Sequence, residues 1–193
     1  MKPQIEELEL FRLAYTFLLD VEGGYSNHDN DKGRETYKGI SRRWHPTWEG
    51  WNIIDDYKRH PLFPDILYQL DSLNQMVEDF YKVEYWDKAR CGQLPTEFAI
   101  MVFGSAVNHD PRDAVKLLQQ TVRTRIDGVI GPKTIHALNT RIGHLGMGEV
   151  IVEFLGYRAM FYHSIVRADS SQAEFLRGWF NRLFKLQQFV LGE

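Results

Sequence analysis

Apolar residues recur at helical spacing along almost the whole chain, and only one stretch breaks the pattern outright. Leu8, Phe11, Tyr15 and Leu18 lie three, four and three residues apart, and Glu22 continues the stripe four residues on. Apolar residues at this period line one face of a helix. Gly23 and Gly24 then supply the backbone freedom that ends one. From Tyr25 to Ser41 the sequence is too polar and turn-rich for a helix. It reads as a loop carrying a short hairpin, with "ETYKGIS" its most strand-like part.

The rest of the chain returns to the helical period. Residues 42–66 are irregular, with three prolines and with Trp44, Trp48 and Trp51, whose role is open. A helix follows Asp71, with Leu73, Val77, Phe80 and Tyr81 on one face. Another starts at Pro95 and runs through Ala99, Val102, Phe103 and Ala106. Asp110-Pro111 marks a further start, Asp as cap and Pro in the first turn, with Val115, Leu118 and Val122 as the apolar face. "DGVIGPKT" is a tight turn before a helix bearing Ile135 and Leu138. Two longer helices, 148–167 and 172–190, end the chain. The expected fold is therefore mostly α, with one small β-hairpin near residues 34–41.

The 193 residues suit one large domain or two small ones, and the 44% hydrophobic content is enough for a core. The net charge of −3, with both signs interspersed, lacks the basic stripe of a nucleic-acid binder. No run is long enough to span a membrane, so no membrane insertion is expected. Cys91 is the only cysteine, which excludes an intrachain disulfide; it reads as an inert, partly buried thiol. The histidines show no paired ligand spacing, and "DNDKG" fails as a calcium loop. Counting from Asp29, Gly33 is fifth and the twelfth residue is Ile40, where that loop needs Gly sixth and Glu twelfth. No metal and no cofactor are expected. "MKPQIEELEL" has acidic residues where a signal peptide has an apolar segment. Cytoplasmic synthesis without a signal peptide is expected, with release by a holin or a dedicated secretion route.

Glu22 closes an apolar stripe. A carboxyl group set against apolar neighbours loses solvation, its pKa rises, and it becomes fit to act as a general acid. A solvated glutamate at a frayed helix end is the simpler alternative. Asp29, Asp31 and Thr36 follow closely. Glycosidic cleavage uses an acid for the leaving oxygen and a second carboxylate to activate water or stabilise the cation; a threonine hydroxyl can hold that water. Asp and Asn also simply make turns.

"EGGYSNHDNDKGRETYKGIS" resembles the signature of glycoside hydrolase family 108, the N-acetylmuramidases once labelled secretion activators. That pattern runs Glu-Gly-Gly-Tyr, an Asp-rich loop, then Gly-Gly-x-Thr-x-x-Gly-Ile; here Arg34 replaces the second glycine of the later pair. "YWDKARCGQLP", "VFGSAVNHDP" and "GWFNRL" resemble later blocks of the family, so the likeness spans about residues 14–185. The resemblance implies a lysozyme-like helical globule and transfers the catalytic glutamate to Glu22. Phage-type lysozymes offer a second resemblance: Glu, eight residues, Asp, five residues, Thr. Glu22 and Asp31 match the first spacing, and Thr36 falls one residue short. Asp31 is thus the expected second carboxylate and Asp29 the fallback.

Leu118-Gln119, Asp127-Gly128, Gly131-Pro132 and Thr134 resemble a peptidoglycan-binding pattern, although a turn followed by a helix start explains the same residues. The expected division is a muramidase domain at 1–98 and a helical peptidoglycan-binding segment at 99–193. Aromatic rings stack on pyranose faces, which nominates Tyr25, Tyr37, Trp86 and Trp179. Trp86 and Trp179 suit the core equally, because most helical aromatics are buried. Asn108 and Asn181 suit binding of N-acetyl groups or capping of backbone. Three functions stay open: a muramidase acting on the glycan strands of peptidoglycan, a lytic transglycosylase, and a non-enzymatic wall-binding or secretion factor. A monomer acting on the wall in the periplasm is expected for the first.

Overall fold

The computed structural model describes residues 6–19, 24–27 and 35–192. Among them are eight α-helices and one three-stranded antiparallel sheet. The chain divides into two compact units, one of residues 15–84 and one of residues 1–14 with 85–193. The boundary expected between residues 98 and 99 falls inside a helix, α4 (Thr96–Asn108).

The 15–84 unit holds the sheet. Strand β1 (Tyr25–Asn27) pairs with β2 (Glu35–Tyr37), and β2 pairs with β3 (Ile40–Ser41). The expected hairpin is β2–β3. Its two-residue turn, Lys38-Gly39, has positive φ at both positions, 44° and 80°. That is the mirror-image turn whose twist suits two antiparallel strands, and glycine takes it without steric cost. The turn is held from outside the sheet, since the Tyr81 hydroxyl donates to the Lys38 carbonyl at 2.8 Å. On the helical side of this unit, α3 (Asp71–Tyr81) buries Leu73, Val77 and Tyr81, spaced by four as expected.

Residues 42–66 are not all irregular. They contain α2 (Gly50–Tyr57), followed by a 3₁₀ turn at Asp65–Gln69. The helix has eight residues, and the apolar side chains it buries are Trp51 and Ile54. A stripe of two residues is too short to reveal a period. A Cβ on Gly50 would lie 2.3 Å from the ring of Trp48, so glycine here admits an indole against the start of the helix.

In the other unit, α4 is buried nearly all round, with Phe98 to Phe103 continuously buried. Such a helix is central, and α5 (Pro111–Thr121) and α8 (Leu176–Leu191) pack on it. The long α7 (Met147–Ala168) packs against α5, α6 (Pro132–Leu145) and α8. Asp110 caps α5 as expected, its carboxylate accepting from the Arg112 amide at 2.7 Å, with Pro111 in the first turn. Helix α1 (Glu7–Leu19) differs from its expected stripe: Leu8 is exposed, and the buried positions are Leu10, Phe11, Ala14, Tyr15 and Leu18. No described helix is long and apolar enough to cross a membrane.

Candidate active site

The sheet of the 15–84 unit carries Thr36 at the middle of its central strand. Side chains alternate across a strand. Glu35 and Tyr37 therefore share one face and Thr36 takes the other. The first face looks into the core. Tyr37 and Ile40 are 0% and 1% exposed, and the Tyr37 hydroxyl donates to the Leu67 carbonyl at 3.2 Å. Burial pushes the Tyr37 phenol up to about 12. The sheet's first strand is held by a close approach. The Tyr25 amide donates to the Tyr68 hydroxyl at 3.0 Å, and a Cβ on Gly24 would sit 2.1 Å from that oxygen. Glycine is the residue that fits there.

Glu35 is a buried carboxylate that the sequence reading did not single out. It is 8% exposed, and a buried carboxylate needs partners. It has three. Tyr25 donates its hydroxyl at 2.9 Å, Arg42 a guanidinium nitrogen at 2.8 Å, and Lys58 approaches at 2.8 Å. Asp55 joins the same cations, bidentate to Arg42 at 2.7 and 2.5 Å and to Lys58 at 2.7 Å. Burial alone would raise the Glu35 pKa. The bonds from Lys58, Arg42 and Tyr25 outweigh it and hold the carboxyl below its ordinary value. Hydrogen bonds from Arg42 and then Lys58 depress Asp55 as well. Both carboxylates are ionised at neutral pH, so neither has a proton to give. The signal that could have found Glu35 is its place two residues before Tyr37, on the inward face of a strand.

The expected site residues fall into three groups. Glu22, Asp29 and Asp31 lie outside the described residues. Thr36 stands on the sheet face opposite Glu35, partly exposed. Tyr25 is partly exposed, but its hydroxyl is committed to Glu35 and its ring meets Phe63 edge-on at 4.8 Å. Tyr37 and Trp86 are core rather than stacking surface. Trp86 is 0% exposed, with Phe11 and Phe103 edge-on to its ring and Glu7 accepting from its indole nitrogen at 3.2 Å. A ring enclosed in this way has no face left for a sugar. In the other unit, Asn108 accepts from Arg182, Trp179 stacks on Tyr162 at 5.2 Å, and Asn181 is exposed.

The tryptophans whose role was open occupy three different settings. Trp51 is core, and Trp44 is exposed beneath the Arg43 guanidinium. Trp48 lines a cleft of about 380 Å³ with Met76, Phe80 and Val83, beside Glu49, Asp79 and Glu84. Among the described residues no group of three or more His, Cys, Asp or Glu is placed to hold a metal ion. Cys91 is buried and its thiol pKa is pushed up by that burial, as an inert thiol requires.

The family model for glycosyl hydrolase 108 matches residues 15–109, which include the whole sheet and its network. Over these residues the chain belongs to glycosyl hydrolase family 108. It is thus a glycoside hydrolase, and the family's substrate is peptidoglycan. A second model, described as "Predicted Peptidoglycan domain", matches this family 108 protein over residues 113–184. Among solved structures, that of SagA from Brucella abortus is 25% identical, with a TM-score of 0.68, covering 94% of each chain. A search of curated proteins finds no match.

The peptidoglycan-pattern residues have a structural role inside the chain. Gln119 is 1% exposed, and its amide group organises the turn before α6. Its nitrogen lies 2.8 Å from Asp127, 3.1 Å from the Val129 carbonyl and 3.3 Å from the Thr134 hydroxyl, which share its two N–H groups. Its oxygen accepts from the Gly128 amide at 2.8 Å. Gly128 has φ of 76°, and Gly131-Pro132 opens α6. The motif closes a turn on a buried glutamine.

Proposed function

We propose that this family 108 enzyme is an N-acetylmuramidase that hydrolyses the bond between N-acetylmuramic acid and N-acetylglucosamine. In this reading Glu22 protonates the leaving oxygen. Asp31 is the second carboxylate, with Asp29 as the alternative, and Thr36 holds the attacking water. The observation that carries the reading is the division of labour around β2. Glu35 and Asp55 are locked as ionised, ion-paired carboxylates, which leaves the proton-donor role to a carboxyl elsewhere. Thr36, next in the chain to Glu35, turns its hydroxyl to the opposite and partly exposed face. Tyr25, Asn108, Trp179 and Asn181 are proposed sugar contacts. The 113–184 segment is proposed as wall-binding surface, and release by a holin or a secretion system as the route to the wall.

Glu22→Gln tests the assignment, since it keeps shape and removes the transferable proton. General-acid help is worth ~10²–10⁴-fold, so turbidity loss of purified sacculi should slow by about that factor. Circular dichroism should stay unchanged. A folded Glu22→Gln variant that clears sacculi at the wild-type rate sinks the assignment. Mass spectrometry of the wild-type fragments decides the chemistry. Reducing muramic ends support hydrolysis, while anhydro-sugars mean a lytic transglycosylase. Sacculi that bind the protein without being cut mean a wall-binding factor.

A further inference from the structure

The two faces of the sheet differ in chemistry more sharply than strand alternation requires. One is built from Glu35, Tyr37 and Ile40, all buried. On the other, Ser26 lies directly opposite Thr36, and Thr36 directly opposite Ser41. The three strands thus place three hydroxyl residues side by side in one row. Directly opposed residues have Cβ atoms about 4.5–5.5 Å apart, a spacing that a single sugar ring can bridge. Ser41 is buried and has a partner of its own, whereas Ser26 and Thr36 are partly exposed. The hydroxyls of Ser26 and Thr36 bond no described residue.

A face that only met solvent would suit long charged side chains, and a packed face would need apolar ones. This face carries neither. Each short hydroxyl side chain both donates and accepts without charge. Those are the properties that match the hydroxyls of a neutral sugar. The frame beneath is rigid. Tyr37 is tied to Leu67, the β2–β3 turn to Tyr81, β1 to Tyr68, and Glu35 to Arg42 and Lys58. A row of weak hydrogen-bonding groups gains most when its positions are fixed in advance.

We infer that Ser26 and Thr36 form a strip that binds the hydroxyl edge of one sugar ring of the glycan, with Ser26 as a binding residue of the same site as Thr36. The inference rests on the reading that Thr36 belongs to the active site. Ser26 anchors the sugar, and Thr36 is left to position water.

The test uses the full-length enzyme and soluble, uncrosslinked glycan strands prepared from sacculi. Ser26→Val keeps a strand-forming shape and removes the hydroxyl; Ser26→Thr keeps the hydroxyl. One neutral hydrogen bond is worth roughly 1 kcal/mol, so Ser26→Val should raise KM about 5-fold and change kcat less than about 2-fold. Ser26→Thr should recover most of the loss, and thermal unfolding should match wild type for both. Equal KM for Ser26→Val and wild type overturns the inference, as does Ser26→Thr behaving like Ser26→Val. Should Ser26→Val fail to fold, Ser26→Ala replaces it with the same criteria. Thr36→Val separates the inference from the reading beneath it. An inactive Thr36→Val beside an unaffected Ser26→Val rejects the strip and keeps Thr36. A fully active Thr36→Val beside a Ser26→Val with raised KM keeps the sugar-binding role of Ser26 and rejects Thr36 as the residue that positions water.

Discussion

The two units bury polar groups by opposite means. In the 15–84 unit the buried carboxylate of Glu35 is matched by two cations and a phenol, and Asp55 shares both cations. In the other unit the fully buried charge is Arg158, at 0% exposure. No carboxylate among the described residues pairs with it. Its nitrogens donate to the Tyr162 hydroxyl at 3.0 Å and to the Gly104 carbonyl at 3.3 Å, and Nη1 bonds no described residue. His109 lies in the same setting. Burial first, and Arg158 second, push its pKa down to about 3, so the imidazole is neutral. Gln119 repeats the pattern with a neutral amide. One unit therefore surrounds its buried charge with opposite charges, and the other surrounds Arg158, His109 and Gln119 mainly with hydroxyls, carbonyls and amides, the Asp127 carboxylate being the ionic exception. The first arrangement is costly to break, because removing one ion strands others. The second depends on filling each hydrogen bond.

That contrast can be broken at four places. The largest effect is expected at Glu35. Glu35→Ala leaves Arg42 and Lys58 with Asp55 alone and should cost about 3 kcal/mol of unfolding free energy in urea titrations. A loss below about 1 kcal/mol would mean that the network is ornamental. Next comes Gln119→Ala, which orphans the Gly128 amide and releases the turn. It should cost about 2–3 kcal/mol, read from the same urea titrations.

The third test is acid. The folded pKa of His109 lies below its unfolded value of about 6.5. The unfolded chain therefore binds the extra proton first, and stability falls as pH drops from 6.5 towards 3. At ~1.4 kcal/mol per pH unit, wild type should lose about 2 kcal/mol between pH 6.5 and 4.5 that His109→Gln does not lose. Glu35, whose pKa is also depressed, contributes stability above its unfolded value of about 4.3. Its loss is confined to lower pH, so a Glu35→Gln variant should flatten only the limb below about pH 4. A loss between pH 6.5 and 4.5 that Glu35→Gln abolishes would contradict the division between the units. The smallest effect is expected at Arg158. Arg158→Met removes a charge that has no ionic partner, and apolar replacement of buried ions is often neutral or favourable. Stability should move by less than about 1 kcal/mol, measured by the same titrations.

Local chemistry was legible in the sequence wherever neighbours in the chain are neighbours in space. The Asp110 cap, the Pro111 and Pro132 starts and the four-residue spacing of Leu73, Val77 and Tyr81 could all be read directly. The "ETYKGIS" hairpin could be read too, because Lys38-Gly39 is a turn whose geometry depends on its own two residues. Helix α2 was not legible, since its apolar side comprises only two large residues. Nor was the fate of the aromatics. Tyr37 and Trp86 have the composition of sugar platforms and the surroundings of core residues, and only packing distinguishes the two.

The sequence by itself determined a mostly helical chain with one polar hairpin, the positions of its helix starts, and a family signature from Glu22 to Ser41. Those features rest on backbone preferences and spacings of one to five residues. The tertiary structure alone decided that Glu35 is an ionised anchor, because its partners lie seven residues away at Arg42 and 23 away at Lys58, with Asp55 between them. It also decided that Ser26, Thr36 and Ser41 share one row, since strand pairing brings together positions that no local pattern connects. Charge compensation and cross-strand register are long-range properties, and their energies exist only once the chain has closed on itself.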